Sequence, residues 1–378
     1  GRFLKRFSCA RVAKNCSGLW ECVSFRSWYH FYFHPKGNTR KEHHDWQLTV
    51  SWRVAVRMDL IRLGKRLLML PLAAKHVLMP GRPYSGAIEL TPTEDEIAAN
   101  LRRHVEQLAQ TIGIRHYERA GSLNAAADYI EAQFWQSGYQ PSVQNFSYPG
   151  GIGKNVIVER GKTGKLLVIG AHYDTVPNSP GANDNASGVA VMLEMARILS
   201  TAQLSQRIQL VAFDNEEHCA QQWEDTGSHH YAQNLKARGE QLIGMWSLET
   251  LGYYNQRPQS QKFPPPLDLF YPDKGNFLAF VGNTDSRELV RQTIRLFRAE
   301  HAGFPAQGIA APPKFRDTER SDHRSFWQVG YPALMVTDTA NFRYPHYHTP
   351  DDTIDKVDFS SMARITRLLA GVASSLTA

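Results

Sequence analysis

Three apolar runs in this 378-residue chain each end on a histidine or an acid. Lys165 to Ala171 leads into His172-Tyr173-Asp174, Arg207 to Phe213 into Asp214-Asn215-Glu216-Glu217, and Leu242 to Leu248 into Glu249. From Leu166 to Ala171 the first run is continuous, the mark of a strand buried on both faces, as parallel sheets provide. Such a chain collects its polar residues beyond the carboxyl ends of its strands, and its chemistry belongs there.

Helical patterns alternate with these strands. Thr91-Pro92-Thr93-Glu94 supplies a cap, a proline and an early acid ahead of a helix reaching about Ile112. Further helices are expected over Leu123–Trp135, Ser187–Ser200, Ser228–Ala237, Ser286–Glu300 and Phe359–Ser375. Additional strands are expected over Tyr139–Tyr148, Asn155–Glu159, Asn276–Val281 and Pro332–Asp338. The pattern predicts an α/β fold: a mixed, mostly parallel central sheet flanked by helices, a three-layer sandwich. The stretch from Tyr253 to Asp273 is proline-rich and aperiodic, a length of loop that usually walls or covers a pocket.

Charge divides the chain in two. Residues 1–85 carry 16 Lys+Arg against 4 Asp+Glu, while the remainder carries 27 against 32. The overall +7 therefore belongs to the leader, and the body offers no basic face for nucleic acid. Residues 1–87 are expected to be a poorly ordered basic leader, and residues 88–378 one domain. Leu67 to Ala74 is the leader's most apolar stretch, too short for the ~20 residues of a membrane span. A start at Met58 would give a basic stretch followed by a short apolar run, a weak secretory signal. Beyond the leader the only cysteine is Cys219, so packing rather than an internal disulfide must hold the body.

The candidates for chemistry sit at the strand ends. His172 is followed two residues on by Asp174, which in extended chain faces the same side and can orient the imidazole. Asp184 lies between two asparagines in a glycine-flanked turn entering a helix, where backbone can approach closely and negative charge is tolerated. Glu216 and Glu217 are adjacent and point different ways, so that one can coordinate a metal while the other carries a proton. Glu249 ends a strand, His348 has His346 as a competitor, and Asp322-His323 form another polar island. Each alone has an ordinary structural explanation; together they would be assembled by the sheet.

Six motifs carry a resemblance. G-A-H-Y-D-T-V (170–176), P-G-A-N-D-N-A-S-G-V-A (180–190), F-D-N-E-E (213–217), S-L-E-T-L-G-Y-Y (247–254), R-S-D-H-R-S-F-W (320–327) and Y-H-T-P-D-D-T-I-D-K (347–356) arrive in one order. Over roughly residues 95–378 the chain resembles the co-catalytic zinc aminopeptidases, the M28 peptidases. The resemblance implies two Zn2+ per chain, one on His172 and Glu249, the other on Glu217 and His348, with Asp184 bridging. It implies Glu216 as general base, Asp174 as partner of His172, and Asp322 and His323 as supporting groups. Peptides would be the substrates, a monomer would suffice, and the compartment would be secreted, periplasmic or membrane-associated. A glutaminyl-cyclase-like or carboxypeptidase activity, or a non-catalytic binding domain, are the alternatives on the same fold. The segment after Glu217 departs from the family pattern, so that His218, Trp223 and the Tyr253–Asp273 loop become candidates for shaping the pocket.

Overall fold

The computed structural model describes residues 77–81, 88–217, 223–299, 303–312 and 315–378. The expectations for residues 1–76, His218 and Cys219 lie outside the described residues.

Nine strands form one sheet among the described residues. They are β1 (Leu78–Met79), β2 (Ser142–Tyr148), β3 (Gly151–Arg160), β4 (Leu166–His172), β5 (Arg207–Phe213), β6 (Leu242–Glu249), β7 (Leu278–Asn283), β8 (Ala306–Ala311) and β9 (Ala333–Thr337). Their order is β1-β8-β7-β9-β6-β4-β5-β3-β2. The pairings β5·β4, β4·β6 and β6·β9 are parallel and bring the three apolar runs side by side. β7·β8 is also parallel, whereas β2·β3, β3·β5, β7·β9 and β1·β8 are antiparallel. The sheet is mixed, as expected, with its parallel centre at the strands that carry the site. β1 joins its edge from sequence N-terminal to residue 88, so the sheet begins before the boundary drawn there.

Among the described residues seven α-helices cover the two faces: α1 (Pro92–Val105), α2 (Ala120–Gln136), α3 (Gly188–Leu199), α4 (Gly227–Ala237), α5 (Arg287–Ala299), α6 (His323–Gln328) and α7 (Phe359–Leu376). One face of β4, with Leu167, Ile169 and Ala171, packs into a large cluster with residues of α1, α2, α3, α5 and α7. The other face, with Leu166 and Val168, packs with Tyr231, Ala232 and Leu235 of α4 and Phe326 of α6. All seven residues of β4 are buried, which is why its sequence runs apolar without alternation. Each fully buried Leu or Ile there contributes about 1.5–3 kcal/mol relative to an exposed one.

Local signals set the element ends. Thr91 and Glu94 form the anticipated reciprocal cap of α1, with Pro92 in its first turn. Glu94 then receives the Arg364 and Arg367 guanidinium groups of α7, locking α1 to the closing helix. The expected helix to Ile112 is interrupted, because residues 106–112 continue as a π-helical turn. Three elements escaped the sequence reading: the two-residue β1, β8 and α6. β8 reads A-Q-G-I-A-A, with little of the β-branched and aromatic character that marks strands, and α6 is only six residues long.

Candidate metal centre

His172 is the last residue of β4, Glu249 the last of β6, and Glu216 and Glu217 follow β5. The parallel registers His172↔Phe213 and Gly170↔Ser247 align these strand ends. Asp184 enters from the turn before α3, and His348 from the loop between β9 and α7.

Asp184 is the centre of the arrangement. Its Oδ1 lies 3.4 Å from His172 Nε2, which is 3.2 Å from Glu249 Oε2. Its Oδ2 lies 3.0 Å from His348 Nε2, which is 2.9 Å from Glu217 Oε1. Two trios of ligand-type groups, His172-Asp184-Glu249 and Asp184-Glu217-His348, thus share one carboxylate. Glu216 belongs to neither, but forms a third close group with His172 and Glu217. His346 stands outside all three groups, its ring against Tyr344.

The donor set fits zinc. Neither buried oxygen of Asp184 accepts a hydrogen bond among the described residues, so both are left to other partners. Tetrahedral zinc with ligands at about 2.0–2.1 Å sets those ligands roughly 3.3 Å apart, close to the separations found here. Two imidazoles and three carboxylates are borderline and hard donors, suited to zinc and unsuited to soft metals. Without a cation the acids crowd one another. Burial, reinforced by the Asp184 charge, pushes Glu217 up to about 8. Burial also raises Glu216 well above its ordinary range and raises Glu249. Burial opposes charge on His348, yet Asp184 and Glu217 carry it up to about 10. Protons and imidazolium are here a poor substitute for divalent cations.

Surrounding groups hold His172, Glu217, Glu249 and the Asp184 turn in place. Asp174 lies 3.3 Å from His172 Nδ1 through one oxygen and accepts the Glu217 backbone N–H at 2.9 Å through the other. It therefore joins the two strand ends. Ser321 donates to Glu249 Oε2 at 2.8 Å. Asp352 accepts the backbone N–H groups of Asn183 and Asp184 at 2.8 and 3.0 Å, and the Tyr344 hydroxyl at 2.8 Å. The asparagines beside Asp184 tie its turn to the segment around Glu249. Asn185 Nδ2 donates to Leu248 O, and Asn183 Oδ1 accepts the Gly252 N–H. Gly181 has φ +62°, and a Cβ there would meet Asp184 O at 2.3 Å, so glycine is required.

A buried cation braces the loops from behind. Arg115 is fully buried and donates to the carbonyls of Tyr173, Leu108, Gly113, Pro180 and Gly181. These include the residue between His172 and Asp174 and the two that lead toward Asp184. Sequence reasoning missed Arg115, Ser321 and Asp352. The D-D pair at 351–352 and the S-D-H run signalled polarity without saying which member would touch a ligand.

Asp322 and His323 are both fully buried, but neither belongs to the ligand-type groups. Burial raises the Asp322 carboxyl to about 7. The His323 ring turns away to Thr318 O at 2.7 Å and stands edge-on to Trp327; burial pushes it down to about 4. Trp223 lies under the Arg324 guanidinium, 4.8 Å from its ring centroid, away from the cavity beside Glu249. The Tyr253–Asp273 loop does wall that cavity, through Gln261, Phe263, Pro264, Leu267 and Tyr271.

The model of Peptidase family M28 matches residues 155–373. The uncharacterized protein YfbL of Escherichia coli (strain K12) is 34% identical over 294 residues, covering 75% of this chain and 90% of that protein. BSAP, a zinc aminopeptidase from Bacillus subtilis, superposes with a TM-score of 0.58 at 16% identity, over 74% of this chain and 94% of that one. A glutaminyl cyclase from Fimbriiglobus ruber superposes with a TM-score of 0.57 at 21% identity, over 79% and 100%. At such identities the two structures speak for the fold. The family match spans more than half of the sequence and the YfbL alignment three quarters of it, and on that ground the chain belongs to peptidase family M28.

Proposed function

We propose that residues 88–378 form a metal-dependent exopeptidase domain that removes amino-terminal residues from peptides with two zinc ions. The observation that carries this reading is the pair of trios sharing Asp184. His172 and Glu249 would hold one zinc, Glu217 and His348 the other, and Asp184 both. Zinc held by these residues would supply Lewis acidity, polarising the scissile carbonyl and lowering the pKa of water so that a hydroxide nucleophile is available near neutral pH.

The chain supplies the rest. Glu216 is buried beside His172 and Glu217 without being in either trio, so its carboxylate is free to take a proton from the attacking water. The same group then hands that proton to the departing amine. Asp174 fixes the ring orientation of His172 and the backbone at Glu217, and Ser321 fixes Glu249. Burial above all, with the nearby Glu217, Glu249 and Asp322 carboxyls, disfavours ionisation of Glu216. The His172 side chain is 1% exposed and that of His348 34%, so substrate approaches from the His348 side.

The test uses peptides with a free, an acetylated or a glutaminyl amino terminus, with and without chelator. Release of the first residue from the free terminus alone, lost on chelation, is expected. Conversion of the glutaminyl peptide to pyroglutamyl product would favour the cyclase, and release from the carboxyl end a carboxypeptidase.

A further inference from the structure

The cavity walled by the long loop opens from the metal cluster itself. Glu249 and Tyr347 line it, and the Tyr347 ring stacks on His348 at 3.8 Å between centroids. Its floor is the sheet. Register places Glu249 opposite Thr337, Thr337 opposite Ala279, and Ala279 opposite Gln307. Residues so paired share a face. Three strand spacings of about 4.8 Å put Gln307 about 14 Å from Glu249 along this row. Ala279 keeps the middle of the row low, while Phe263 and Tyr271 are among the loop residues on the walls. The cavity volume is about 100 Å³. A cavity of about 150 Å³ lined by Leu, Ile and Phe takes up benzene, so this one is of the order of a single ring.

Gln307 is 3% exposed, and its amide has one satisfied end. The Gly81 backbone N–H donates to Oε1 at 2.6 Å. Because that N–H can only donate, the bonded end is the oxygen and the other end is the NH2 group. This Nε2 is buried and has no partner among the described residues, on a side chain that lines the cavity. Asp317 and Arg320 also line the cavity but are exposed, and Arg320 is engaged with Asn341 Oδ1.

We propose that this cavity receives the side chain of the substrate's amino-terminal residue, and that Gln307 Nε2 donates a hydrogen bond to an acceptor at that side chain's far end. The inference rests on the aminopeptidase reading and names its substrate class: an aromatic residue carrying a terminal oxygen, tyrosine over phenylalanine. Phenylalanine or leucine fills the apolar walls but leaves the donor unpaired. Lysine presents donors to a donor, and an ionised aspartate or glutamate must shed its water among apolar walls.

Two measurements test this. The first is kcat/KM for alanyl, phenylalanyl and tyrosyl arylamides with the wild type, Gln307→Leu and Ala279→Leu. The tyrosyl rate should exceed the phenylalanyl by about tenfold or more, and in Gln307→Leu the ratio should fall to about one. Gln307→Leu also removes the acceptor for Gly81. If it does not fold, Ala279→Leu should lower the tyrosyl-to-alanyl ratio about tenfold by filling the row. The second is calorimetric binding of L-tyrosinol and L-phenylalaninol, which needs no turnover; tyrosinol should bind about tenfold tighter. Alanyl cleavage with neither preference overturns the role of Gln307 alone. Tyrosinol preference without cleavage of any arylamide upholds Gln307 and sinks the aminopeptidase reading.

Discussion

Asp352 receives the backbone N–H of Asp184 at 3.0 Å, so the carboxylate shared by both ligand trios is held through its own main chain by a second acid. The neighbouring Asn183 N–H reaches the other Asp352 oxygen at 2.8 Å. Asp352→Ala should therefore weaken zinc binding about 10–100-fold while leaving all five ligands in place. Competition with a fluorescent chelator measures it, and unchanged affinity would remove Asp352 from the account.

Metal should also hold the fold together. Two trios of ligand-type groups share Asp184 and hold three acids between them, and a cation that binds only the folded state stabilises it by mass action. Chelator should lower the thermal midpoint and added zinc restore it. An identical midpoint in both conditions would mean that the cluster binds no ion.

Glu94 ties α1 to α7, and it gives a pH signature away from the metal site. Burial alone would raise its pKa, but hydrogen bonds from Arg364, the Thr91 N–H and Arg367 outweigh that and hold it at about 2 against the usual 4.5. A carboxyl lowered in the folded state stabilises fully above 4.5, and that contribution is lost as pH falls from there toward 2. Glu94→Gln should cost about 3 kcal/mol at neutral pH, because the Arg364 guanidinium stays buried without its acid. Urea unfolding of both proteins should show the gap closing in acid; a gap constant with pH contradicts the assignment.

Arg115→Lys tests the brace behind the site. Lysine has three donors on one nitrogen and cannot serve the five carbonyls that the planar guanidinium reaches. Destabilisation of about 2–4 kcal/mol is expected, with faster amide exchange in residues 173–184. Loss of stability without altered exchange there would place the role of Arg115 elsewhere.

Legibility followed physical locality. His172, Glu217 and Glu249 could be found because apolar runs announce buried strands and parallel pairing aligns their ends. Asp184 and His348 were marked by turn chemistry and by the motifs around them. Arg115, Ser321 and Asp352 reach the site through partners 58 to 169 residues away, which no local pattern encodes. His323 was read as part of the site because of its neighbours, whereas its ring bonds Thr318 five residues back. β8 stayed hidden because alanine and glycine give a strand no signature, and the cavity floor that includes Gln307 was hidden with it.

The central claim is a two-ion centre with Asp184 in both halves. The most direct measurement is the zinc content per chain, by mass spectrometry after zinc loading and gel filtration, of the wild type, Glu216→Gln, His172→Ala and His348→Ala. About two zinc ions are expected in the wild type and in Glu216→Gln, the latter with activity reduced about 10²–10⁴-fold, and about one in each histidine variant. One ion or none in the wild type, or two retained in both histidine variants, would contradict it.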